Sequence, residues 1–270
     1  MAVAKKFTAT TASLPSPIGG WNARDSLAEM NPLDAVQMVN FFPTPTDVTL
    51  RKGYTKISTG ITGQVLSLMS YSSPTTTKLF GATTTTIYDT TTSTATISLT
   101  DNTDGKWVHC MITTAGGSFM PAVNNVDPMI VYDGTRWSRS ATTSTAQTIS
   151  SITRGGAGNL TATLTTASPH SLVTGNTITV AGATPAEFNG TYRVTVTGVS
   201  TLTYTMASAP SGNATIMGTY TINYYITGKN SNTFAYVNLF KERLYFVEEN
   251  SLSFWYLPVD SINGAVTEFP

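Results

Sequence analysis

The sequence predicts an all-β protein, and three observations support this prediction. The chain has 51 threonines among 270 residues, and β-branched residues favour strands. Its 21 glycines suit many short strands joined by turns. Apolar and polar residues alternate in several segments, as in Thr177–Val180 and Tyr192–Val196, and this period of two is typical of half-buried strands.

A strand–turn–strand pattern occurs three times and indicates a repeated unit. The three segments are KLFGATTTTIYDTTT, SFMPAVNNVDPMIVYDGTRW and RLYFVEENSLSFWYLPVDSING. Leu79 and Phe119 are 40 residues apart, and Phe119 and Tyr245 are 126 apart, or 51 without the 75 residues of 148–222. These spacings bracket the period of propeller blades, about 40–50 residues. We therefore predict a partial or complete β-propeller-like body, and a plain antiparallel sandwich is the alternative.

The predicted body is interrupted by a small β-domain. Residues 148–222 have their own alternating pattern and are predicted to form an inserted β-sandwich or barrel. Loop tips tolerate such insertions because little buried backbone is disturbed. Residues 57–147 then form the first blades and residues 223–270 resume the body, and we expect the full gene product to continue beyond residue 270.

Residues 1–56 are predicted to form an N-terminal arm and docking region with one short helix, 32–40. Asn31 is a suitable N-cap, and Pro32 fits the first helical position. Asp34 would lie in the first turn, where a carboxylate is favourable for the helix dipole. Pro43 and Pro45 would end the helix.

Composition and motifs give no indication of catalysis. The 15 basic and 15 acidic residues balance, whereas nucleic-acid binders cluster Lys and Arg against phosphates. The two histidines and the single Cys110 show no metal-binding spacing, and Glu248–Glu249 is predicted to lie at a hairpin tip. No apolar run approaches the roughly 20 residues of a membrane helix. We therefore expect no enzyme activity, no cofactor, no metal site and no membrane segment.

The N-terminal motif resembles a known family. GGWNARDSLAEMNPLDAVQMVNFFP followed by DVTLRKGY resembles the N-terminal region of the tail nozzle, or packaged-DNA stabilisation, proteins of short-tailed bacteriophages. The residues that carry the resemblance are Gly19, Gly20, Asn22, Arg24, Asp25, Asn40, Phe41, Phe42, Pro43, Arg51, Gly53 and Tyr54. Residues 238–266 resemble a downstream blade of the same proteins, and residues 148–222 look like a module common in phage structural proteins.

The resemblance implies a virion protein of the phage tail, made and assembled in the cytoplasm of the bacterial host. It implies a β-propeller body in a homohexamer that docks below the head-to-tail adaptor protein. The implied partners also include tail needle, spike or fibre proteins. Double-stranded DNA would pass through the lumen without sequence specificity, and the ring would help to retain it until ejection.

If the resemblance holds, the N-terminal docking region, residues 1–56, contains the candidate assembly interface. Aromatic residues and Arg are enriched at interface cores, and the candidates are Trp21, Asn22, Arg24, Asp25, Phe41, Phe42, Arg51 and Tyr54. One alternative is that these aromatic residues close the core of the body. Another is a receptor- or glycan-binding phage tail protein, which would use insert aromatics such as Phe188, Tyr192 and Tyr204.

Overall fold

The computed structural model describes residues 13–145 and 147–269, and the chain divides into two compact units, Met1–Lys56 and Ile57–Pro270. We call residues 13–56 the front segment and residues 57–269 the body. The described residues form 26 strands and three single-turn 3-10 helices. The predicted all-β class is therefore confirmed.

The front segment contains four short strands in two pairs. β1 (Gly20–Trp21) pairs in parallel with β2 (Asp34–Ala35), and β3 (Phe41–Pro43) pairs antiparallel with β4 (Val48–Leu50). The predicted helix 32–40 is wrong, because this stretch contains β2 and no helix.

The reason is visible in the hydrogen bonds of that stretch. Asn31 caps a turn instead of a helix: its Oδ1 accepts from the Leu33 N–H at 2.9 Å, and its carbonyl accepts from the Asp34 N–H at 2.8 Å. An isolated helix of nine residues is marginal in water without an apolar face to bury. Residues 32–40 are all exposed or half-buried, so extended pairing with β1 prevails.

The body begins with two antiparallel sheets. The first sheet is a meander of β5 (Ser67–Ser72), β6 (Thr77–Ala82), β7 (Ile87–Asp89) and β8 (Thr96–Leu99). The second sheet contains β9 (Val108–His109), β10 (Ile112–Thr114), β11 (Gly117–Val123), β12 (Ile130–Tyr132) and β13 (Trp137–Arg139). Asp133 and Gly134 lie in the turn between β12 and β13, where Gly134 has a φ of 90°, a value that favours glycine.

The next seven strands form a β-sandwich, which we call the insert. They are β14 (Ile149–Gly155), β15 (Thr161–Thr166), β16 (Thr177–Ala181), β17 (Gly190–Arg193), β18 (Thr195–Gly198), β19 (Thr201–Thr205) and β20 (Thr219–Ile222). Two 3-10 helices, Ala157–Asn159 and Ala186–Phe188, lie in its loops. One sheet has the order β14-β15-β19-β18 and the other β17-β16-β20. Both sheets contribute to one hydrophobic core, which includes Leu164, Phe188 and Tyr220.

Two arginine side chains and the backbone carbonyl of a third arginine join the insert to the rest of the body. The carbonyl of buried Arg139 accepts from Asn176 Nδ2 at 2.9 Å, whereas its Nη2 donates within the rest of the body, to the carbonyl oxygens of Thr100 and Asp101 at 3.0 and 2.8 Å. Two further contacts are Arg193 Nη1 to the Ser98 carbonyl at 3.1 Å and Arg136 Nη1 to the Thr191 carbonyl at 3.0 Å. This seam is therefore polar, whereas each side has its own apolar core.

The third sheet follows the insert. It consists of β22 (Phe234–Phe240), β23 (Arg243–Glu248), β24 (Phe254–Tyr256) and β26 (Thr267–Phe269), again antiparallel. A 3-10 helix, Ser231–Thr233, precedes it, and β21 (Ile226–Thr227) pairs in parallel with β25 (Gly264–Ala265).

The second sheet is buried on both faces, because the first and third sheets pack against its two sides. Met120, Tyr132 and Trp137 contribute to one cluster with residues of the first sheet. Val123 and Val131 belong to another cluster, with Phe234 and Phe246 and other residues of the third sheet. Face-to-face stacking of antiparallel sheets of four or five strands is compatible with propeller blades, and the propeller itself stays a prediction.

Asp127 connects the loop after the first sheet to the β11–β12 loop. Its carboxylate is 5% exposed and accepts from the backbone N–H groups of Thr103, at 2.9 Å, and Asp104, at 3.3 Å. Asn124 Nδ2 also donates to it, at 2.8 Å. Burial alone would raise the pKa of Asp127, but the hydrogen bonds from Asn124 and Thr103 outweigh it, so its pKa lies below the usual value.

We predict that Asp127→Asn lowers the free energy of unfolding by about 2 kcal/mol at neutral pH, because buried donors lose a charged acceptor. A lowered folded-state pKa means that the stabilisation is present above the unfolded-state pKa of about 3.9 and is lost as pH falls through the folded value. Urea denaturation between pH 7 and pH 2 measures both effects. The control is Glu268→Gln on an exposed side chain, and equal losses in the two variants would contradict the assignment.

Candidate functional site

The front segment has almost no buried side chains. Among residues 13–56 only Gly20 is buried. Nine large apolar side chains in this segment are exposed: Leu14, Trp21, Leu27, Val36, Val39, Phe41, Phe42, Leu50 and Tyr54. Hydrogen bonds, and not a hydrophobic core, therefore organise this segment.

Asn22 is the centre of these hydrogen bonds. Its Nδ2 donates to Asp25 Oδ2 at 2.9 Å and to Asp34 Oδ2 at 2.8 Å. Its Oδ1 accepts from the backbone N–H groups of Arg24, at 3.0 Å, and Asp25, at 3.2 Å. All the usual bonds of an amide side chain are thus made within the segment. Asn22 therefore has a structural role within the front segment, and its place in an assembly interface stays a prediction.

The two glycines before Trp21 are required by the same arrangement. A Cβ on Gly19 would lie 2.1 Å from Asp34 Oδ1, so any side chain there would displace the carboxylate that Asn22 binds. Gly20 has a φ of 88°, which is in the region that favours glycine. The Gly-Gly-x-Asn part of the motif therefore has a local structural explanation. Asp34 is the partner that sequence reasoning missed, because it was assigned to a helix.

Arg24 and Asp25 form an ion pair at the surface. Arg24 Nε donates to Asp25 Oδ1 at 2.9 Å, and the Arg24 side chain is 89% exposed. The hydrogen bond from Arg24, followed by that from Asn22, holds the pKa of Asp25 below its usual value. An exposed pair of this kind contributes little to stability. Because its side chain is exposed, the Arg24 guanidinium remains accessible to a partner.

The candidate aromatic residues are all exposed. Trp21 is 69% exposed, and its Nε1 donates to the Val36 carbonyl at 3.1 Å, which orients the indole. Phe41 and Phe42 are adjacent on β3 and therefore point to opposite faces. Tyr54 is 94% exposed.

Phe41 contributes to a shallow apolar hollow of about 300 Å³. The hollow is lined by Pro17, Ala35, Gln37, Met38, Phe41 and Val48, all within the front segment. Arg51 lies just beyond β4, where its backbone N–H donates to the Asn40 carbonyl at 2.7 Å. The front segment thus presents an apolar surface with cationic side chains close to it in the sequence.

The other titratable residues singled out in the sequence have structural partners. Glu248 pairs with Lys229 at 2.8 Å, and Glu249 accepts from Asn125 Nδ2 at 2.8 Å. His109 accepts the Ser70 N–H through Nε2, and burial lowers its pKa. Burial also raises the pKa of Cys110 to about 12, so the thiolate that would act as a nucleophile is disfavoured.

Two negative findings apply to the described residues, one for metal-binding groups and one for membrane-spanning helices. Residues 13–145 and 147–269 contain no group of three His, Cys, Asp or Glu side chains that could hold a metal ion. Within the same ranges, no helix has the length and apolar character needed to cross a membrane.

The insert aromatics considered for glycan binding are used inside the insert. Phe188 and Tyr204 are buried in its core. Tyr192 stacks on Tyr204 with ring centroids 4.3 Å apart, and its hydroxyl donates to the Asn189 carbonyl at 2.8 Å. Two of these rings are therefore inside the insert, and one face of the half-buried Tyr192 is covered by Tyr204.

We predict that Asn22→Ala disorders the β1–β2 pair, because it removes the four hydrogen bonds that Asn22 makes to residues 24, 25 and 34. Hydrogen exchange of the Gly19 and Asn22 amides, which donate to the Leu33 and Ala35 carbonyls, should accelerate about tenfold or more. Arg24→Ala is the matched control, because it removes only an exposed partner. Unchanged exchange in Asn22→Ala would show that the backbone pairing does not depend on this side chain.

Comparison of the chain with protein-family models, with curated proteins and with solved structures finds no match. The resemblance to the nozzle family therefore rests on the motif residues given above.

Proposed function

We propose that this protein is a virion structural protein that forms the tail nozzle or hub of a short-tailed bacteriophage. Six copies surround a conduit for double-stranded DNA, dock below the head-to-tail adaptor and help to retain the packaged genome. The protein acts without a catalytic site or a cofactor, and its place is the tail of the virion.

The exposed apolar surface of the front segment is the observation that carries the proposal. Phe41 and Leu50, which are paired across β3 and β4, are 47% and 66% exposed, and Tyr54 is 94% exposed. Large exposed apolar patches are typical of protein–protein interaction sites. A segment with this surface and no core of its own gains most of its apolar burial from a partner. We assign the adaptor ring as that partner.

Oriented polar groups beside the aromatic residues give such a contact specificity. The Trp21 indole is held by the Val36 carbonyl, and the Arg24 guanidinium is held by Asp25. A ring whose orientation is set before binding loses less conformational entropy when the interface forms. Trp and Arg are also the residue types that most often dominate interface energies.

The balanced charge of the chain supports the conduit role. Each phosphate contact adds to salt-dependent affinity for DNA, and a channel that must release DNA quickly has few of them. The chain has 15 basic residues against 15 acidic ones. DNA would therefore pass without sequence-specific retention by this protein.

We expect the purified chain to form rings of six copies, with six times the 28.7 kDa mass of the chain. Native mass spectrometry measures the mass, and negative-stain electron microscopy shows whether a central channel is present. A protein that stays monomeric over its whole soluble concentration range, or a trimer that binds bacterial surface glycans on an array, would overturn the proposal. The second result would favour a receptor-binding tail protein.

A further inference from the structure

A polar cavity of about 240 Å³ lies at the seam between the insert and the rest of the body. The segment after β8 contributes Thr100 and Asp101 to its lining, and the insert contributes Gly175, Arg193 and Thr195. Small-molecule sites are typically concave and contain a few converging polar groups. This cavity has that character, because hydroxyl, guanidinium and carboxylate groups from distant parts of the chain line it together.

The buried side chain of Arg139 lies against Gly175, on the insert side of the cavity. A Cβ on Gly175 would lie 2.9 Å from Arg139 Cδ and 3.0 Å from its Nε. Gly175 also has a φ of 98°, a value that favours glycine. Glycine at this position therefore allows the cavity wall to approach a second guanidinium, in addition to that of Arg193.

The polar groups around Arg139 include donors that have no acceptor. The guanidinium donates from Nη2 to the Thr100 and Asp101 carbonyl oxygens and to Asn102 Oδ1, and its Nε and Nη1 donate to none of the described residues. Asn102 is 5% exposed, and its Nδ2 also has no acceptor within the described part of the chain. Buried donors without acceptors are costly. A ligand rich in acceptors therefore fits this neighbourhood better than one rich in donors.

The two guanidinium groups also repel each other. Burial lowers the pKa of Arg139, and the charge of Arg193 lowers it further, whereas the carboxylates of Asp127 and Asp101 raise it. Neither arginine forms an ion pair with a carboxylate among the described residues. Asp101 is exposed, and Thr100 Oγ1 donates to its Oδ2 at 2.9 Å. An anion beside the two arginines would relieve their repulsion.

We propose that the cavity binds a small oxyanion, either inorganic phosphate or the phosphate group of a monoester. Arg193 contacts the ligand, and the Thr195 hydroxyl is a further donor. Guanidinium groups bind phosphate oxygens through charge-assisted hydrogen bonds. The bound anion links the insert to the rest of the body, since Arg193 belongs to β17 and Arg139 to β13. The site does not depend on the proposed nozzle ring, because a single copy supplies all of these residues.

Two variants with opposite expected effects test the site. Arg193→Gln removes the cation but keeps an amide donor, and it should weaken phosphate binding about tenfold or more, as expected for the loss of a charge-assisted hydrogen bond. Asp101→Asn removes the carboxylate from the lining and should strengthen binding. Both residues are exposed, so the fold should be kept, and circular dichroism checks it.

Arg154→Gln is the matched control. It removes the same charge from the insert, and Arg154 Nη1, like Arg193 Nη1, donates to a backbone carbonyl. Arg154 is not part of the cavity lining. Phosphate affinity should therefore be the same in this variant as in the wild type.

Isothermal titration calorimetry of the full chain with inorganic phosphate, at an ionic strength held constant with chloride, measures the affinities. We expect saturable binding in the wild type and the control, and a melting temperature that rises with phosphate concentration, because the ligand binds the folded state. Glycerol 3-phosphate is titrated in parallel. Equal affinities for the two probes would support a site for the free ion, and tighter binding of the ester would support a site for a phosphate group on a larger molecule.

Two results would overturn the inference. One is a wild type that shows no saturable binding of either probe. The other is the same affinity in the wild type, Arg193→Gln and Asp101→Asn, which would indicate adsorption of the anion elsewhere on the surface. The native mass of the chain in phosphate-free buffer tests the ring by itself, so failure of this site and failure of the nozzle proposal are distinguishable.

Discussion

Burial of the second sheet on both faces is the constraint on which the body depends. A sheet with one solvent-exposed face can lie at the surface of a protein, whereas a sheet that is apolar on both faces needs another element packed against each face. Met120 and Val123 lie on the same strand but contribute to different clusters, one shared with the first sheet and one with the third. The order of the three sheets follows from this requirement.

The insert interrupts this stack with little disturbance because it has its own core. Ile152, Leu164 and Leu202 bury their side chains within the two sheets of the insert. The contacts at the seam include arginine side chains bonded to backbone carbonyls, as with Arg193 and Ser98. A polar seam of this kind fixes orientation through specific hydrogen bonds, whereas the apolar burial takes place on either side of it.

The front segment follows a different principle, which bears on the proposed function. Its local shape is held by one amide, Asn22, and two carboxylates, Asp25 and Asp34. Its large apolar side chains are left at the surface. A hydrogen-bonded frame that presents aromatic rings is suited to docking, because the rings are positioned before a partner arrives. The N-terminal motif therefore combines residues that make the hydrogen bonds of the front segment with exposed aromatic residues.

The sequence by itself determined the all-β class, because alternation and β-branched composition are local properties that each strand carries. It also located the strand–turn–strand segment SFMPAVNNVDPMIVYDGTRW, which contains the turn at Asp133 and Gly134, and the separate alternating pattern of the insert. The tertiary structure decided the conformation of residues 32–40, because Asp34 and Ala35 pair with Gly20 and Trp21 far along the chain. It also decided that Asn22 is bonded to Asp25 and Asp34 and that Phe246 lies on the core side of the third sheet. These features depend on which residues separated in the sequence come into contact, and local sequence patterns do not specify those contacts.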